Sequence, residues 1–72
     1  MITINNLDEM VPYHIKGTNT YSFKDSVKFT FDLELEANIN AVEIKAHNIE
    51  AWNVTAGKID AFNIDAYNIK VI

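Results

Sequence analysis

Seventy-two residues, 8.2 kDa in all, make one small domain, near the size below which a hydrophobic core alone no longer holds a fold. Six lysines, no arginine and ten acids leave a net charge of −4, which argues against a general nucleic-acid or anionic-membrane binder. With no cysteine, disulfides, thiolate metal sites and thiol catalysis are excluded.

No apolar run reaches transmembrane length, and no basic-plus-apolar leader precedes the first structured residues, so an intracellular, cytoplasmic chain is expected. The Asn53-Val54-Thr55 sequon then reads as fortuitous.

Met1–Ile4 reads as a short strand, Leu7–Tyr13 as a short helix interrupted at Pro12, and Lys16-Gly17-Thr18-Asn19 as a turn. Residues 1–26 are expected to form a capping segment that plugs one end of the fold built by residues 27–72. From Val27 the chain alternates strictly. Val27, Phe29, Phe31, Leu33, Leu35, Ala37, Ile39 and Ala41 take one face, with polar residues between them. That is the pattern of a half-buried strand over 27–41, running without a linker into the second half.

The second half repeats. Ile or Val recurs every five residues from 39 to 69, and Ala every five from 41 to 66, with Val71 in the next slot. Neither a helix nor a flat strand has this period. A five-residue unit that alternates and then turns fits a chain rounding one corner per unit. Four such sides close a coil of about twenty residues, each coil stacking on the last at about 4.8 Å.

Residues 37–72, written Ala-x-Asn-Ile-x, resemble the pentapeptide-repeat family in a variant phase of its motif. The resemblance implies a right-handed quadrilateral β-helix, so the expected fold class is an all-β solenoid with an N-terminal strand and short-helix cap. Constant volume marks the Ile and Ala columns as interior. The variable column Val42, His47, Trp52, Gly57, Phe62, Tyr67, Ile72 points outward, as do the polar residues after each Ile. Asn38, Asn48, Asn53, Asn63 and Asn68 are placed at corners, where Asn tolerates left-handed backbone and bonds neighbouring main chain.

A twenty-residue coil stacks Lys45 on Asp65, Glu50 on Lys70, Glu43 on Asn63 and Asn40 on Asp60. It also stacks Val42 on Phe62, His47 on Tyr67 and Trp52 on Ile72. Much of the solenoid's charge would then neutralise itself.

Catalytic constellations are nearly absent. His14 and His47 stand apart without metal-ligand spacing, Ser22 and Ser26 lack a glycine elbow, and no glycine-rich phosphate loop exists. No enzyme and no cofactor or metal is expected.

Two features point to binding. Asp32, Glu34 and Glu36 alternate along the predicted strand about 6.5–7 Å apart, a carboxylate row that either imitates a nucleic-acid backbone or guards a sheet edge. Glu43, Asp60 and Phe62 join them as candidate partner contacts, although Phe62 is as well suited to packing under the N-terminal segment. Trp52, Tyr67, Val71 and Ile72 are assigned to the seam of a two-fold dimer joined at the C-terminal coil.

The functional expectation is an acidic protein that blocks a nucleic-acid-handling enzyme without touching nucleic acid itself. The family resemblance adds that some pentapeptide-repeat proteins bind DNA gyrase as duplex mimics. By analogy of class, small acidic proteins are common among phage-encoded blockers of host nucleases, anti-CRISPR proteins included. The alternative is a structural module that self-associates through β-helix ends.

Overall fold

The computed structural model describes residues 1–72. After β1 (Ile2–Ile4) comes a 3-10 segment, Leu7–Tyr13, followed by β2 (Thr20–Ser22), β3 (Ser26–Phe29) and β4 (Leu33–Glu34). The repeat region supplies β5 (Asn38–Lys45), β6 (Asn48–Glu50), β7 (Asn53–Asp60), β8 (Asn63–Asp65) and β9 (Asn68–Val71). Every pairing between these strands is parallel. The chain is a β-solenoid of about three turns with a capping segment at its N-terminal end.

The coil has three sides, not four. Asn38 pairs with Asn53 and Asn53 with Asn68, a register of fifteen residues rather than twenty. The first side stacks β2, the leading halves of β5 and β7, and β9. The second stacks β1, β3 and the trailing halves of β5 and β7. The third stacks β4, β6 and β8.

Side-chain matching explains the choice. At fifteen residues Asn38, Asn53 and Asn68 fall in one column and Asn48 and Asn63 in another. At twenty, Asn38 would meet Lys58 and Asn63 would meet Glu43. The observed columns are bonded: Asn53 Nδ2 donates to Asn38 Oδ1 at 2.7 Å and Asn68 Nδ2 to Asn53 Oδ1 at 2.8 Å. Asn63 Nδ2 likewise donates to Asn48 Oδ1 at 2.8 Å. The expected left-handed role of these asparagines is not found, since no residue other than Gly17 has a positive φ. They lace successive coils together instead.

Burial follows the columns in the inner coils and fails in the last one, where Ile69 and Val71 are 48 % and 60 % exposed. Ile39, Ile44, Ile49 and Val54 are at most 2 % exposed, and Ala51 and Ala56 are buried beside them. The expected strand over 27–41 is three strands, β3, β4 and the start of β5, separated by corners at Thr30–Phe31 and Glu36–Ala37. The in-out alternation continues round those corners, so the pattern reports burial correctly without reporting straightness. Two corners are not breaks at all: β5 and β7 run on through Ala41–Val42 and Ala56–Gly57 as single bent strands. The coils approach so closely there that a Cβ on Gly57 would lie 2.9 Å from the Val42 carbonyl oxygen.

The N-terminal segment closes one end. Asn6 caps the 3-10 segment by accepting from the Glu9 amide at 3.2 Å, while Glu9 Oε1 accepts from the Asn5 amide at 2.6 Å. Pro12 sits inside this segment without interrupting it. Its one buried side chain, Met10, is 1 % exposed and joins Ile4, Phe23 and Phe29 in the core. Tyr13, Phe23, Phe29 and Phe31 form an aromatic chain with ring centroids 4.5, 5.9 and 6.3 Å apart in succession. No helix is long and apolar enough to cross a membrane.

Candidate functional site

The three-sided coil changes which outward residues meet, and so overturns the expected charge pairing. On the third side Glu34 stacks on Glu50 and Glu50 on Asp65, three like charges at about 4.8 Å per rung. On the second side Lys28 stacks on Lys45 and Lys45 on Asp60. The first side carries Asn40, Thr55 and Lys70 in the same column. Glu43 pairs with Lys58 in register, not with Asn63. Charge is thus sorted by side: the outward column of the third side contains no lysine. The sole ion pair joins the N-terminal amine to Asp25 at 3.3 Å.

Of the expected row Asp32, Glu34, Glu36 only Glu34 lies in a strand, β4 being two residues long, although Asp32 and Glu34 still line one shallow cleft with Asp8. Asp32 Oδ1 accepts from Asn48 Nδ2 at 3.0 Å and heads the Asn48–Asn63 column. Glu34 and Glu36 line a cleft of about 240 Å³ with Glu50 and Asp65. Neither Glu50 nor Asp65 is marked as a contact by the sequence. Trp52 and Tyr67 line the same cleft, with Leu35, Ala51 and Ala66. The Tyr67 amide donates to the Trp52 carbonyl at 2.8 Å, so these two aromatic residues occupy one corner on successive coils.

That placement corrects the expected stacking of Trp52 on Ile72. The Trp52 backbone lies against that of Tyr67 and not of Ile72, whose amide donates to the Ala56 carbonyl at 2.9 Å on a different corner. Val71 pairs with Ala56 there. Val71 and Ile72 are 60 % and 82 % exposed, and Ile69 shares their edge. Val42 lies over Gly57 rather than Phe62.

Phe62 is 79 % exposed and does not pack under the N-terminal segment. Its ring centroid lies 4.6 Å from that of His47, edge to face, in the place expected of Tyr67. Together with Lys28, Phe29, Lys45, Ala46 and Asp60 they line a second cleft of about 360 Å³. Phe62 and Asp60 therefore belong to a lysine-bearing cleft, apart from Glu34 and Glu36. His14 is remote from both, its Nε2 2.6 Å from the Thr18 carbonyl oxygen.

No three His, Asp or Glu side chains converge closely enough to hold a metal ion, the stacked carboxylates included. Asp25 is the one group whose acidity is visibly tuned: the Ser26 amide, and then the N-terminal amine, hold its carboxyl below the ordinary 3.8. In comparisons with known proteins, no family model, curated protein or solved structure matches the chain.

Proposed function

We propose that the chain is a non-enzymatic solenoid of the pentapeptide-repeat kind that binds a basic protein surface through its third side. Its partner would be a nucleic-acid-handling enzyme, whose basic groove it occupies in place of nucleic acid, in the manner of phage-type inhibitors. One observation carries the reading: Glu34, Glu50 and Asp65 stack as like charges on a side whose outward column holds no lysine. Like charges directly opposite on neighbouring strands destabilise a sheet. Such a column serves binding rather than folding. A tagged pull-down from bacterial lysate tests it, comparing wild type with the triple variant E34Q/E50Q/D65N and with K28Q/K45Q. Recovery of a nuclease, topoisomerase or similar enzyme by wild type and K28Q/K45Q, but not by the triple variant, supports the reading. Equal recovery by all three, or recovery of none, overturns it.

A second reading concerns self-association. At the C-terminal coil Ile69, Val71 and Ile72 are 48 %, 60 % and 82 % exposed, and the outer strand edges of that coil are unpaired. At the opposite end Met10 and Phe23 cover the core, while β1 and β4 are themselves edge strands. Joining two C-terminal edges gives a closed two-fold dimer. In that form the acidic side would be presented twice.

A further inference from the structure

Three of the ten carboxylates are bonded within the chain, and two more lie in register with a lysine. Glu9 caps the 3-10 segment, Asp25 pairs with the N-terminus, Asp32 heads an asparagine column, and Glu43 and Asp60 lie in register with Lys58 and Lys45. Of the other five, Asp8 sits in the first turn of the 3-10 segment. The remaining four, Glu34, Glu36, Glu50 and Asp65, all line the cleft that Trp52 and Tyr67 also line, Glu34 bordering as well a shallower cleft with Asp8 and Asp32. Carboxylates and two aromatic side chains thus line a single concavity of about 240 Å³.

We infer that this cleft receives an arginine side chain of the partner protein. The inference rests on the acidic-side reading and names its recognition element. Three physical features select arginine over lysine. A guanidinium presents a planar fork of N–H donors that a pair of carboxylates accepts together. Its flat face stacks on Trp or Tyr, with a cation–π attraction that strengthens as water is excluded. It is also more weakly hydrated than an ammonium, so less is lost on entering a cleft floored by Leu35, Ala51 and Ala66. Trp52 and Tyr67, one coil apart on one corner, offer that stacking beside Glu50 and Asp65, which are one coil apart on the adjoining side.

The test uses the full chain and two probes, hexa-arginine and hexa-lysine peptides, titrated by calorimetry at low salt. Trp52 is the only tryptophan, so its fluorescence reports this cleft alone. Hexa-arginine is expected to bind about fivefold more tightly than hexa-lysine and to shift Trp52 emission. Y67A shrinks that advantage, weakening hexa-arginine more than hexa-lysine; with Tyr67 80 % exposed, the fold is retained, which circular dichroism checks. E50Q/D65N weakens both peptides about tenfold or more. Equal affinity for the two peptides, or arginine binding that leaves Trp52 emission or E50Q/D65N unaffected, overturns the arginine cleft and leaves the acidic-side reading standing. Failure of both peptides to bind the wild type overturns the two together.

Discussion

The carboxamide of Asn53 donates to that of Asn38 at 2.7 Å, one coil and fifteen residues earlier. It also accepts from Asn68 at 2.8 Å, so Asn53 is the middle rung of a three-residue side-chain ladder that extends to Thr20 Oγ1 at 3.4 Å. Asn53→Ala removes both bonds and leaves Asn38 and Asn68 with unmet amide groups. The expected loss is about 1–3 kcal/mol, from a net value of about 0.5–1.5 kcal/mol per hydrogen bond. Asn63→Ala, at the exposed end of its column with one bond to Asn48, costs about half as much. Urea unfolding of the two variants decides between a ladder and simple turn formation, since a turn role alone would give similar losses.

The same ladder is written in the sequence, in a period longer than the five-residue one. The asparagine column runs Asn38, Glu43, Asn48, Asn53, Lys58, Asn63, Asn68, and its two breaks fall fifteen residues apart. Glu43 and Lys58 pair in register, which turns both exceptions into a match. The five-residue period reports how often the chain turns; only a longer period over the columns reports how many turns close a coil. Burial is readable without that number because Ile39, Ile44, Ile49 and Val54 face inward whatever the side count. The surface is not. Glu50, expected on Lys70, stacks on Asp65, and a self-neutralised surface becomes an acidic one. No local pattern marks Glu50 and Asp65, because their meeting depends wholly on coil length.

Gly57 is fixed by crowding rather than by backbone conformation. A methyl group there would lie 2.9 Å from the Val42 carbonyl oxygen, a backbone atom inside the continuous strand β5. Gly57→Ala must part the coils or bend the corner, and a loss of about 1–3 kcal/mol is expected for an overpacked site. Gly17 offers the contrast, with open space about it and a φ of +80°. Gly17→Ala is expected to cost about 1 kcal/mol through left-handed strain alone. Thermal melts of the pair test whether crowding exceeds strain.

The Asp25 carboxyl is held below its ordinary 3.8 by the Ser26 amide and then by the N-terminal amine. A carboxyl with a lowered folded value binds its proton less readily folded than unfolded, so it adds stability above the unfolded value. That contribution fades as pH falls through 3.8 toward the lower folded value. The side chain is solvent-exposed, so the effect is small and is best read directly. An NMR titration should give Asp25 a midpoint below 3.8, and acetylation of the N-terminus should move it part of the way back.

Ile69, Val71 and Ile72 line the exposed edge of the last coil. If this edge joins two copies, I72D together with I69D places charge against charge across a two-fold seam. Sedimentation equilibrium should show wild type as a dimer that dissociates on dilution and the double variant as a monomer at every concentration. Trp52→Ala should leave the molar mass unchanged, because Trp52 lies on another corner beside Tyr67. A wild type that remains monomeric at high concentration ends the dimer proposal.

The acidic column makes opposite demands on folding and on binding. Glu34, Glu50 and Asp65 repel one another across neighbouring strands, and no lysine shares their column. E50Q/D65N keeps the side-chain shapes while removing that repulsion. It should raise stability by about 0.2–1 kcal/mol per relieved pair. The gain should be largest at low ionic strength and shrink as salt is added, since exposed charges are screened over a Debye length of about 8 Å at 0.15 M. Partner capture should move the other way and fall in the same variant. Denaturant curves at low and high salt, run beside the pull-down, measure both quantities on one protein. A variant no more stable than wild type at low salt would mean that the column carries no repulsion, and that binding is not needed to account for its upkeep.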